Sequence, residues 1–234
     1  MDQTSSSSPV LTVALIHAVM PAMAPMREAL ASELPQARVL NLLDEGLLSE
    51  VERRGGLQPE CVERLATQIG LSIDAGASAV LLTCTAYSTV VPEMQARFAP
   101  VPVLAVDQVM VETAVERATR IGVLATVPAG LEQQTRMLER AAGQRGTTIE
   151  IVGSLHPRAM AALQQGDAAT HDRILLEALP SLAAQVDLVL LAQASMARLL
   201  PRLVELGELG VPVLTSPRLA VEHLRERLEA AAPR

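Results

Sequence analysis

Val80-Leu-Leu-Thr-Cys-Thr-Ala-Tyr-Ser-Thr-Val90 changes character in its middle. Residues 79–82, Ala-Val-Leu-Leu, are continuously apolar. That is the pattern of a strand covered on both faces by helices in a parallel sheet. Thr83, Cys84, Thr85, Tyr87 and Ser88 then bring hydroxyls and a thiol. In open α/β sheets ligands bind outside the carboxyl ends of the strands. A thiol flanked by hydroxyls at such an end is a candidate reactive site. The competing reading is that Cys84 is a small buried hydrophobe, as most free cysteines are.

Working outward, the chain of 234 residues suits one large α/β unit or two small domains. Half of it is apolar, with one Tyr, one Phe and no Trp, so the core must be aliphatic. Few aromatics and a net charge of −7 argue against a nucleic-acid partner. The two cysteines, Cys61 and Cys84, lie in different expected elements with no Cys-x-x-Cys or histidine cluster, so neither a disulfide framework nor a metal site is expected. No signal peptide is read at the N-terminus, and no apolar run reaches the roughly 20 residues of a membrane helix. No membrane partner is expected, and the reducing cytoplasm is the expected compartment.

Strands are expected at residues 10–16, 37–40, 79–82, 101–106, 121–125, 148–152, 187–191 and 211–214. Helices are expected at 22–33, 59–75, 92–98, 107–117, 131–142, 156–165, 168–185, 197–206 and after Ser216-Pro217, with Asp107 as an N-cap. Residues 1–8 read as a disordered tail and 41–56 as a loop with one helical turn. Cys61 reads as structural. His156, His171 and His223 read as surface histidines.

The second half replays the first. Val80-Leu-Leu-Thr-Cys84 sets against Val189-Leu-Leu-Ala-Gln193, and Val101-Pro-Val-Leu104 against Val211-Pro-Val-Leu214. The first strand, ending at His17, sets against Val123–Thr126, with Leu124 near Leu15. Two α/β units would then face one another with their strand ends at a shared cleft. Such a cleft presents matched groups to the two faces of a small ligand, which suits proton transfer at a carbon.

These residues carry a resemblance. Val13-Ala-Leu-Ile-His-Ala18, Leu82-Thr-Cys-Thr-Ala86, Ile121-Gly-Val-Leu-Ala-Thr126, Ala192-Gln-Ala-Ser-Met-Ala197 and the paired Val-Pro-Val-Leu strands resemble the aspartate/glutamate racemase superfamily. That superfamily also holds hydantoin racemases, maleate isomerase and arylmalonate decarboxylase. The resemblance implies two flavodoxin-like three-layer α/β/α domains with parallel sheets, related by a pseudo-twofold axis. It implies a first domain of 1–106 plus 215–234, a second of 107–214, and a cleft between them. It also implies no cofactor and is compatible with a homodimer.

Two-base members carry a cysteine at both equivalent strand ends. Here Cys84 fills the first, and the second falls at Gln193 or Ala194, neither of which can act as a base. Maleate isomerase uses its first-half thiol as a nucleophile, and Cys84 matches that position. A helix N-terminus beyond Cys84 would lower the thiol pKa. The expected catalytic residues are Cys84 and His17, the histidine at a strand end. The expected carboxylate-binding residues are Thr85, Tyr87, Ser88, Thr126, Gln193, Ala194 and Ser195, by backbone and hydroxyl groups. The expected activity is a cofactor-independent racemase or isomerase on a small carboxylate-bearing substrate. A single-cysteine decarboxylase or carbon–carbon lyase, and a non-catalytic binding protein on the same fold, are the alternatives.

Overall fold

A computed structural model describes residues 10–231, so the expected tail at 1–8 lies outside the described residues. Eight parallel strands form two four-stranded sheets of identical order. In the first, β1 (Thr12–His17) lies between β2 (Arg38–Leu43) and β3 (Ala79–Leu82), and β4 (Val103–Ala105) closes the far edge. In the second, β5 (Arg120–Ala125) lies between β6 (Glu150–Leu155) and β7 (Leu188–Leu191), with β8 (Val213–Thr215) at the edge. Helices cover both sheets, the two-domain α/β arrangement expected from the sequence.

The covering helices explain why the strands read as unbroken apolar runs. Side chains alternate across a strand. Ala14, Ile16, Val80 and Leu82 therefore face α3 (Pro59–Asp74), where Leu65, Ala66 and Ile69 meet them. Val13, Leu15, Ala79 and Leu81 face the other way, against Met26 and Leu30 of α1 (Met23–Glu33). Ala220, Val221 and Leu224 of the last helix pack in that same layer, so the chain's end returns to the first sheet.

The segment at 41–56 departs from expectation. β2 runs on to Leu43 because Asn41, Leu42 and Leu43 pair with Leu15, Ile16 and His17. A nine-residue helix α2 (Glu45–Arg53) follows. Asp44 caps it by accepting from the Leu47 N–H at 3.0 Å, and Leu47 and Val51, four apart, are buried. Gly46 misleads as a breaker, because it sits in the first turn.

Beyond β3 a six-residue 3₁₀ turn, Thr85–Val90, leads into α4 (Val91–Arg97). Then α5 (Gln108–Arg117) packs with the second sheet through Met110, Val111 and Ala114. The helix α6 (Pro128–Arg145) is longer than expected at both ends. It passes through Gly143 and stops at Gly146, whose φ of +66° is the left-handed conformation that ends helices. The hairpin α7 (Pro157–Gln164) and α8 (Ala168–Ala183) covers the opposite face, where Leu175, Leu179 and Leu182 meet Leu124, Val189 and Leu191.

Residues 194–206 form a 3₁₀ segment rather than the expected α-helix. Pro201 lies inside it and cannot donate an intrahelical hydrogen bond. The chain then closes with α9 (Ser216–Ala231). His171 is not a surface residue: it is fully buried, and its Nδ1 lies 2.8 Å from Asp172 Oδ1. Arg198 and Arg202 from the 194–206 segment reach the same carboxylate at 3.2 and 3.5 Å.

The two sheets share a register as well as an order. Val80 pairs with Val103, and Val189 pairs with Val213, as the internal repeat requires. Leu15 pairs with Leu81 while Val123 pairs with Leu190, so Leu124 corresponds to Ile16, one place on from the expected Leu15.

Candidate functional site

The shared register makes Cys84 and Gln193 counterparts. Each stands two residues beyond the last residue of its strand, Leu82 or Leu191. Each has an extended backbone, with φ/ψ of −121°/124° at Cys84 and −116°/140° at Gln193, and each opens a 3₁₀ segment. First-turn amides of a helix have no intrahelical partner. Thr85 and Ala86 on one side, and Ala194 and Ser195 on the other, are such residues. A single helix joins the two ends. Its first turn lies against Gln193, and its body packs on Thr85–Val90: this is α6.

Cys84 is half-buried. Burial pushes its thiol up to about 12; the Ala86 N–H pulls it down, while Asp107 and Glu52 add to the rise. The expected lowering by a helix N-terminus is thus outweighed. A six-residue 3₁₀ turn supplies little dipole, and desolvation disfavours the anion more strongly. The thiol carries its proton at neutral pH.

His17 is fully buried, and both ring nitrogens are engaged: Nε2 with Asn41 Oδ1 at 3.0 Å and Nδ1 with Thr83 Oγ1 at 2.9 Å. Burial lowers its pKa, and the bond to Asn41 only partly offsets this. Asn41 Oδ1 lies against Nε2, and the Thr83 hydroxyl, which also donates to the Ile16 carbonyl at 3.2 Å, lies against Nδ1. His17 therefore offers a ligand no free nitrogen, contrary to expectation. It ties β1 and β2 to the residue preceding Cys84.

Tyr87 lies in the core rather than at an open strand end. Its ring is fully buried in the first core, its hydroxyl has no partner among the described residues, and its amide donates to the Cys84 carbonyl at 3.0 Å. Its amide is committed to Cys84, and its hydroxyl lies in the core without a partner among the described residues.

Ser88 donates to Asp107 Oδ1 at 2.8 Å. Asp107 was expected to cap α5, but its side chain makes no cap bond and turns to Ser88 instead. Its φ/ψ of −101°/−9° is helical, whereas a capping residue is extended. Asp107 is buried, and burial raises its pKa against the pull of the Ser88 and Thr85 hydroxyls.

On the second side, the Thr126 N–H and hydroxyl both donate to Gln193 Oε1, at 3.2 and 3.3 Å. Two donors on Oε1 fix the orientation of the amide. Gln193 Nε2 is then a buried donor with no partner among the described residues. Gly130 makes room for it, since a methyl group there would collide with Nε2. Thr126 is thus committed to Gln193 rather than free for a ligand. Ala194 and Ser195 are buried at the start of the 3₁₀ segment.

Asn41, Thr83, Gly130 and Asp107 contact the expected site residues and were not among them. Asp107 was detectable, because it ends a strand as Cys84 does. Gln134 of α6 is fully buried with neither amide atom partnered among the described residues, and no sequence signal marks it. Among the described residues no three His, Cys, Asp or Glu side chains are grouped to hold a metal ion, and no helix is long and apolar enough to cross a membrane.

Solved structures share this fold at low identity. The aspartate racemase of Picrophilus torridus is 15% identical with a TM-score of 0.67, covering 93% of this chain and 94% of that one. The allantoin racemase of Klebsiella pneumoniae is 16% identical with a TM-score of 0.64, covering 94% and 88%. The glutamate racemase of Francisella tularensis, solved with D-glutamate, is 13% identical with a TM-score of 0.68, covering 95% and 82%. A search of curated proteins finds no match. The model of the Asp/Glu/hydantoin racemase family matches residues 22–224, most of the sequence. The chain belongs to the Asp/Glu/hydantoin racemase family.

Proposed function

We propose that the chain is a cofactor-independent racemase or isomerase acting on a small carboxylate-bearing molecule, an amino acid or a dicarboxylic acid, with Cys84 as its reacting group. The observation that carries this reading is the pairing of a thiol and an oriented amide at corresponding strand ends. Cys84 holds a transferable proton at one end. Gln193 Nε2 presents an unpartnered donor at the other, suited to a carboxylate or amide oxygen. The first-turn amides of Thr85, Ala86, Ala194 and Ser195 would bind carboxylate oxygens. A second reading, a decarboxylase or carbon–carbon lyase that protonates one face only, is favoured by the same asymmetry. Gln193 cannot take up a proton as a base would.

The test is solvent exchange. Wild type and Cys84→Ser are incubated in heavy water with pooled amino, hydroxy and dicarboxylic acids and followed by proton NMR. Cys84-dependent loss of an α-proton signal from recovered substrate is the expected result. Deuterium confined to a shortened product selects the lyase. Equal activity in Cys84→Ser and Cys61→Ser would sink both readings.

A further inference from the structure

Asp107 has no role in the reading above, yet the fold places it beside the thiol. Leu82 of β3 pairs with Ala105 of β4, so Cys84 and Asp107 each stand two residues beyond the same pair. The ladder continues past that pair, with the Val106 N–H on the Leu82 carbonyl at 3.0 Å. Neighbouring strands lie about 4.8 Å apart, which sets the scale of the separation. Asp107 Oδ1 accepts from Ser88, inside the turn that Cys84 opens, at 2.8 Å. Asp107 Oδ2 is buried without a partner among the described residues.

The charges around the two groups are uneven. Asp107 faces the hydroxyls of Ser88 and Thr85, and no described Lys, Arg or His pairs with it. Cys84 faces Asp107, Glu52 and Tyr87. The guanidinium beside Tyr87, Arg64, is already engaged by Asp44 at 2.7 Å. Two acids side by side with no cation do not both ionise readily. The negative charge, when present, goes to the stronger acid, and a carboxyl group is stronger than a thiol.

We infer that Asp107 and Cys84 form an acid pair holding at most one negative charge, in which Asp107 positions the turn through Ser88 and keeps the proton on Cys84. Asp107 is a positioning residue, and the inference rests on reading Cys84 as the reacting thiol. It makes Cys84 a proton donor at the start of its step. This is the one-sided chemistry of the lyase reading: the substrate's carbon–carboxylate bond breaks, carbon dioxide leaves and the electron pair stays on carbon, and the S–H bond then breaks as that pair takes the proton into a new C–H bond. Solvent returns the proton to sulfur.

The test needs no substrate. Cys84 alkylation by iodoacetamide is followed against pH on the full chain, with peptide mass spectrometry separating Cys84 from Cys61. Asp107→Asn keeps the side-chain shape and an oxygen for Ser88 while removing the charge. It is expected to raise Cys84 alkylation at pH 8 about tenfold, one unit of thiol acidity. A profile superimposable on wild type overturns the inference. A midpoint below about 8.5 in the wild type, the value of a free cysteine, overturns the pair. Should Asp107→Asn fail to fold by circular dichroism, Asp107→Ser replaces it, with the same tenfold rise expected and an unchanged profile overturning the inference. A moved alkylation profile alongside failed exchange in heavy water leaves the acid pair standing and removes the proposed function. The converse removes only the pair.

Discussion

Gly130→Ala should weaken the second half of the site through Gln193. The new methyl group collides with Nε2 and also comes within 3.1 Å of Val127 Cγ2. Gln193 is the movable partner, so its amide swings away and releases two hydrogen bonds from Thr126. Thr126 is 1% exposed, so its donors find no water in exchange. At about 1 kcal/mol per bond, the loss is about 2 kcal/mol. Gly130 sits in the first turn of α6, where alanine favours the helix by at most about 1 kcal/mol. The net change is a destabilisation of about 1 kcal/mol, or about 2–4 °C in Tm for a chain of this size. The assay is a thermal melt by circular dichroism of Gly130→Ala in two backgrounds, wild type and Gln193→Ala. With Gln193 truncated the collision is gone, and the same substitution should be neutral or stabilising. Equal shifts in the two backgrounds would refute the reasoning, because they would show that Gly130 and Gln193 do not interact.

Two further outcomes concern stability. His17 has a lowered pKa when folded, so below about pH 6.5 the unfolded chain binds more protons than the native one. Stability contributed by neutral His17 is complete above that pH and is lost as pH falls towards the folded pKa. His17→Gln should flatten the decline in Tm between pH 7 and 5, and an unchanged slope would show that the imidazole does not control it. Asp172→Ala strips a buried His171 and the two arginines of the 194–206 segment of their shared carboxylate. Removing a buried ion partner costs about 3–5 kcal/mol, and the partly exposed arginines reduce this to about 2 kcal/mol. Denaturant titration should show the loss, and local hydrogen exchange should rise in residues 194–206.

The strands and their order of covering helices were legible because residues such as Val80-Leu-Leu and Val189-Leu-Leu are apolar without interruption. Elements depending on one or two contacts were less so. The helix α2 rests on Asp44 as a cap and on Leu47 and Val51, amid residues that otherwise read as a loop. Residues 194–206 carry a helical pattern of leucines, and that pattern does not separate the 3₁₀ hydrogen bonding they adopt from an α-helix. Cys84 and Gln193 were placed correctly as counterparts by sequence spacing alone. The orientation of their neighbours was not legible. A tyrosine three residues from a thiol can point to solvent or to the core, and Tyr87 joins the core cluster that also holds Leu65, Leu82 and Met94. His17 found side-chain partners on two other elements, a meeting that only the register of β1 with β2 specifies. The carboxyl of Asp107 bonds to Ser88, 19 residues away, instead of capping α5, and no local pattern marks that partner.

The return of α9 to the first sheet has a mechanical consequence. The chain crosses between the two sheets at residues 106–108 and again at 215–216. One crossing would leave the halves free to twist about a single tether. Two crossings behave like a door hung on two pins, allowing swing about the line between them and resisting twist. Both pins lie at the ends of edge strands, β4 and β8, and Asp107 stands on one of them. Any swing of one sheet against the other would load the backbone that carries Asp107 before the central strands, because both crossings leave from edge strands.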